Sequence, residues 1–126
     1  MKNLIMAMAL VTTILFSASA FAGEPNVHHV VLFDLKDGVT PERVEELIAV
    51  GEALLSQIPG VLEVSINKKA REDRDVHIKD YDVALYVKWE NNETGNVYAP
   101  HMLHQTFLKL YKPLFAGLKV IDFYGN

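Results

Sequence analysis

The stretch from Val27 to Leu35 limits the fold more than any other part of the chain. It is rich in β-branched and aromatic residues, which reads as a strand. Side chains alternate across a strand, so His29, Val31, Phe33 and Leu35 share one face and His28, Val30, Leu32 and Asp34 the other. Both faces carry apolar groups, and both need cover. A small domain with one helical layer covers only one. A second layer must come from elsewhere.

The remaining elements fall in order around that strand. Asp37-Gly38 is a turn, and Thr40-Pro41 starts a helix with Thr40 as N-cap and Pro41 at the first helical position. Val44, Leu47, Ile48, Gly51, Leu54, Leu55 and Ile58 form its buried stripe, and Pro59-Gly60 ends it at Ile58. Leu62 to Asn67 alternates as a second strand. Lys68 to Asp80 is a charged connection carrying His77, expected to be solvated. Tyr81 to Glu90 is a third strand with Val83, Leu85, Val87 and Trp89 on one face. Asn91 to Asn96 reads as a turn-rich break. A helix then runs to Tyr111 with a restart or kink at Pro100, and Leu118 to Tyr124 closes the chain as a fourth strand.

The order β-α-β-β-α-β predicts an α+β, ferredoxin-like antiparallel sheet with two helices on one face. Pairing of two such sheets through their bare faces into a dimeric α+β barrel would bury the second side of Val27–Leu35. A homodimer is therefore expected.

Residues 1–22 stand apart from this domain, which spans 23–126. Lys2, the apolar run Leu4 to Phe16 and the small-x-small triplet Ala20-Phe21-Ala22 have the form of a Sec-type signal peptide cleaved after Ala22. The apolar run is short of the ~20 residues that span a bilayer. Export is expected, to the periplasm first and to the medium second, with no membrane attachment after cleavage. The chain has no cysteine, so stability in that oxidising compartment must come from packing alone. Loss of Lys2 takes the formal charge from −4 to −5, which gives no footprint for nucleic acid.

Chemistry concentrates in Tyr98 to Phe107. His101 and His104 at i, i+3 share a helix face, and Tyr98 lies one turn before His101. An imidazole beside a phenol in an apolar cavity can bind one polar group of a small ligand, or act as base and electrophile toward a carbonyl compound. Alternatively these side chains are structural and fix the helix–sheet contact or a dimer seam. Three imidazoles, His29, His101 and His104, could also face a metal, but no cysteine or helix-face acid assists them, and no metal or other cofactor is expected. Hydrolysis by a serine nucleophile has no support. Only Ser56 and Ser65 remain after the leader, and no Gly-x-Ser-x-Gly elbow exists.

In combination, His29-x-Val31-x-Phe33, Ile58-Pro59-Gly60-Val61, Tyr98-x-x-His101-x-x-His104-x-x-Phe107 and Ile121-Asp122-Phe123-Tyr124 resemble the stress-responsive A/B barrel (Dabb) family across Val27 to Tyr124. The resemblance implies a dimeric α+β barrel whose members mostly lack an assigned reaction. One plant relative cyclises a linear polyketide thioester with a tyrosine and a histidine at positions that look like Tyr98 and His104. A further pocket histidine of that relative looks like His29. Here Met102 replaces the family's usual proline, with Pro100 nearby, and Val83 stands where that enzyme has another histidine. The resemblance thus implies Tyr98 and His104 as acid/base candidates and His29, Tyr98, His101, His104 and Phe107 as ligand-binding residues. Related dimeric barrels bind haem, for which His104 or His101 would be the axial ligand.

Overall fold

The computed structural model describes residues 23–126; the expected leader and its cleavage point lie outside the described residues. Four strands, β1 (Asn26–Leu35), β2 (Val61–Lys68), β3 (Val83–Trp89) and β4 (Phe115–Gly125), form one antiparallel sheet in the order β2-β3-β1-β4. Helices α1 (Pro41–Leu55), α2 (Asn92–Tyr98) and α3 (Met102–Tyr111) pack on one face, and a 3-10 turn, Lys112–Leu114, leads into β4. This is the expected ferredoxin-like arrangement with one more helix. Among the described residues no helix is long and apolar enough to cross a membrane.

Local chemistry sets the element ends. Gly38 takes φ +87°, a left-handed turn conformation that favours glycine, and Thr40 Oγ1 then accepts from Arg43 N at 3.2 Å to cap α1. The helix stops at Leu55, earlier than Ile58, yet Ile58 remains buried in the turn that follows. Gly60, at φ +85°, has no room for a side chain, since a Cβ there would fall 2.5 Å from Thr94 Oγ1.

Alternation sorts the sheet into two faces. Val27, Val31 and Phe33 of β1, Val83, Leu85, Val87 and Trp89 of β3, and Ile66 of β2 are buried beneath the helices with Leu47, Leu55, Phe107 and Tyr111. Leu62 is exposed at the point where the β2–β3 register shifts, between Val61 and Glu63. No described element covers the opposite face. There His28 stacks on Tyr86 and Phe123 and binds the Tyr86 hydroxyl at 2.7 Å, with Val30 and Leu32 half-buried alongside. The edge strand β4 is the most exposed element: Ile121 and Phe123 are about half exposed on the bare face, as are Leu118 and Val120 on the helix side. The charged connection after β2 is largely exposed and is tied back by the Lys119–Asp80 ion pair.

Gly51 shows how closely α1 meets the sheet. A Cβ at this position would fall 2.6 Å from Ile66 Cδ1 and 2.9 Å from Phe107 Cε2. In an open helix Gly→Ala gains about 1 kcal/mol, but overpacking a tight contact costs about 1–3 kcal/mol. The clash involves an aromatic ring locked in the core and should win. Gly51→Ala is therefore expected to lower the urea midpoint; a raised midpoint would show that the contact yields.

Candidate functional site

The central strand supplies the first group. Pairing of β1 with β4 sets His29 opposite Asp122, and His29 Nδ1 lies 2.5 Å from Asp122 Oδ1. A carboxylate at that nitrogen fixes the ring's orientation and leaves Nε2 as its second polar atom. Pairing with β3 brings the His29 ring onto Trp89, stacked at 4.5 Å between centroids.

The second group depends on α2, where a turn-rich break was expected. The Asn91 side chain caps this helix by accepting from Thr94 N at 3.1 Å, and Gly95 seats it on the Trp89 indole, where a Cβ would fall 2.6 Å from Cζ3. The last residue of α2 is Tyr98, 2% exposed, packed on Trp89 at 5.2 Å and edge-on to His29 at 5.6 Å.

The chain breaks at Ala99 and Pro100, and the two motif histidines diverge. His101 is not on the helix face shared with His104. It is the N-cap of α3, with φ −61° and ψ 141°, and its Nδ1 accepts from Leu103 N at 3.1 Å. Proline has no N–H to continue the preceding helix, so α2 ends with Ala99 as its cap and the restart uses His101 as its own. His104 lies in the first turn of α3. Its Nδ1 donates to Ala99 O at 2.9 Å, because a carbonyl can only accept, and Nε2 is left as an acceptor when the ring is neutral. The His104 and Tyr98 rings are 4.7 Å apart.

These groups converge on a cavity of about 280 Å³ between the sheet and α2–α3. His29, Tyr98, His104 and Phe107 line it together with Phe33, Leu85, Trp89 and Leu108, and Leu118 and Val120 of β4 form its open side. His101 does not line it. Sequence reasoning missed Asp122, Trp89 and Gly95 as parts of this site. A lone acid in an apolar final strand was the available signal for Asp122; the cross-strand register that gives it meaning is a property of the fold.

Two polar atoms in this aromatic cluster are buried without a hydrogen-bond partner, the Tyr98 hydroxyl and Trp89 Nε1. Burial raises the Tyr98 phenol well above its ordinary value, so it remains a proton donor. Burial lowers the His104 value; the Ala99 carbonyl opposes this and His29 adds to it. Among the described residues no three His, Cys, Asp or Glu side chains come together to hold a metal ion.

The profile of the stress responsive A/B barrel domain (Dabb) matches residues 27–124. The chain belongs to this family. No functionally curated protein matches it. Among solved structures, one match is a dimeric ferredoxin-like protein of unknown function from Thermobifida fusca, with TM-score 0.70 and 22% identity over 83% of this chain and 95% of that one. An Arabidopsis thaliana protein aligns with TM-score 0.70 and 28% identity over 79% and 95% of the two chains. A hydroxynitrile lyase from Passiflora edulis shares the fold at TM-score 0.71 and 14% identity over 82% and 96%.

The lowered His104 value has a measurable consequence. A histidine held neutral in the fold takes up its proton more readily in the unfolded chain, so stability is full above the ordinary imidazole value of 6.5 and falls as pH drops below it. The melting temperature should fall by a few degrees between about pH 7.5 and about pH 5.5, and by less in His104→Gln. An identical pH slope in the two proteins would remove His104 as the titrating group.

Proposed function

We propose that this Dabb protein binds one small, mainly apolar molecule in the cavity over His29, Tyr98 and His104. The observation that carries this reading is Tyr98, which lines an apolar cavity and whose hydroxyl is buried without a partner. A buried polar group with no partner costs about 1–3 kcal/mol, so a hydroxyl kept only for packing would be better replaced by phenylalanine. A ligand atom that accepts from it removes the penalty. The unpartnered phenol also counts against a purely structural part for Tyr98.

One observation favours a second reading, proton-transfer chemistry. A neutral His104 with an acceptor nitrogen stands 4.7 Å, ring to ring, from a phenol that stays protonated, which suits a base and an electrophile acting on a small carbonyl compound. Binding is the foundation of either reading.

The signal-peptide form of residues 1–22 supports a place outside the cytoplasm, in the periplasm first. The bare sheet face around His28, Tyr86, Ile121 and Phe123 is assigned to a second copy, supported by the dimeric state of relatives such as the Thermobifida fusca protein. Phe123→Asp would put a charge on that face. Light scattering is expected to give a monomer for this variant and a dimer for the parent. A parent that is itself monomeric would end the assignment.

For the cavity, Tyr98→Phe is the informative variant. Without ligand its stability should equal the parent's or exceed it by up to about 1 kcal/mol, because an unsatisfied hydroxyl is removed. Thermal shifts produced by hits from a panel of small apolar compounds should shrink or vanish. A Tyr98→Phe protein that is clearly destabilised would mean the hydroxyl has a structural partner.

A further inference from the structure

Resting on the reading that a second copy covers the bare sheet face, we infer that His28 makes this pairing pH-dependent: two copies associate with His28 neutral and separate when it is protonated. The face lies opposite the cavity, so the switch acts whether or not a ligand is bound.

Of the five histidines, His28 is the one that a strand turns to this face. His29 turns to the cavity, His101 and His104 lie at the start of α3, and His77 belongs to the charged connection. The His28 ring is stacked on Phe123 at 5.0 Å and on Tyr86 at 5.8 Å, in the same patch as Val30 and Ile121. Its Nδ1 is bound to the Tyr86 hydroxyl at 2.7 Å, and its Nε2 lies so close to Gly125 that a Cβ there would collide with it. The imidazole is thus built into the apolar patch that a partner would cover.

The charges around it do not suit an imidazolium in that position. Residues directly opposite in an antiparallel pair share a face. On β3, Lys88 is opposite His28, and Tyr86 lies two residues along. On β2, Glu63 is opposite Lys88. On β4 the residue opposite His28 is the uncharged Phe123; Asp122 turns to the cavity with His29, and Lys119, opposite Leu32, is paired with Asp80. Asp34 is at the far end of β1. The helices pack on the other face. Among the described residues no carboxylate forms an ion pair with His28, whereas His29 has Asp122 and His77 has Asp73. A proton on His28 therefore sets a cation beside Lys88, with Glu63 one strand further away.

In a separate chain water solvates that cation. Between two copies the water is gone, and burying an unpaired charge is costly. A two-fold interface uses the same patch twice, so the cost falls on both copies. Protonation is then easier in the separate chain than in the pair. Association is at full strength above the ordinary imidazole value of about 6.5 and weakens as pH falls through it.

The test is the dimer Kd of residues 23–126, which hold the whole described fold, by sedimentation equilibrium at pH 7.5 and pH 5.5 in the same salt. The parent's Kd should rise at least about tenfold, and up to about 100-fold for two coupled protons. In His28→Gln and His28→Phe, which cannot gain the charge, the two values should agree within about threefold. A parent Kd that does not change with pH overturns the switch and leaves the dimer standing. An equal rise in the variants assigns the effect to another group and also overturns it. A parent that is monomeric at pH 7.5 removes the dimer and the switch together. Should the variants fail to pair at pH 7.5, the His28 ring signals of the parent decide by nuclear magnetic resonance. They should titrate at lower pH in concentrated, dimeric samples than in dilute, monomeric ones, and equal midpoints overturn the switch.

Discussion

Everything in this molecule is referred to the double pairing of β1. The strand is hydrogen-bonded to β3 on one edge and β4 on the other, so its residue alternation decides what each neighbour buries. Val31 and Phe33 anchor the core beneath the helices, and His29, on the same face, is held among Trp89, Tyr98 and Asp122. A shift of one residue in either ladder would turn His29 to the bare face and bring His28 to the cavity. Core and site therefore share one register. Any change that loosens the β1–β4 ladder should also disorganise the His29–Asp122 pair, because β4 has no helix to hold it in place.

The break at Ala99–Pro100 makes the second half of the site. A continuous helix from Asn92 to Tyr111 would leave the Ala99 carbonyl to a backbone N–H four residues on. Instead it accepts from His104 Nδ1 at 2.9 Å and Gln105 Nε2 at 2.8 Å. The interruption thus fixes the His104 tautomer and holds the start of α3 against the end of α2. His101 takes the capping task at the same point. Two histidines three residues apart in sequence end with different work, one satisfying a backbone donor and one facing the cavity.

Much of this was legible in the residues, for identifiable reasons. The alternation of Val83, Leu85, Val87 and Trp89 has the strand period, and all four are buried as that period requires. Thr40-Pro41 is a local signal, and the cap forms where it predicts. The local signals failed where competing chemistry decided the outcome. Asn91 to Asn96 has turn composition, yet Asn91 caps a helix there and Gly95 is tolerated because it rests on the Trp89 ring. The i, i+3 spacing of His101 and His104 suggests a shared face only if both are helical, and His101 is not. Asp122 depended on pairing between residues 93 positions apart, which no local pattern contains.

The buried polar atoms bear on why the site has this form. A domain of about 100 residues has a net stability of about 5–15 kcal/mol, and this one has no disulfide to add to it. Leaving both the Tyr98 hydroxyl and Trp89 Nε1 without partners costs about 1–3 kcal/mol each. Phenylalanine at position 98 could fill nearly the same space without that cost, whereas the indole at 89 also has to stack on His29 and seat Gly95. The two penalties therefore differ in kind. That at Trp89 is offset by the packing of its indole, while that at Tyr98 has no such offset. Under the binding reading proposed above, an occupant that accepted a hydrogen bond from Tyr98 would remove a cost that folding leaves in place.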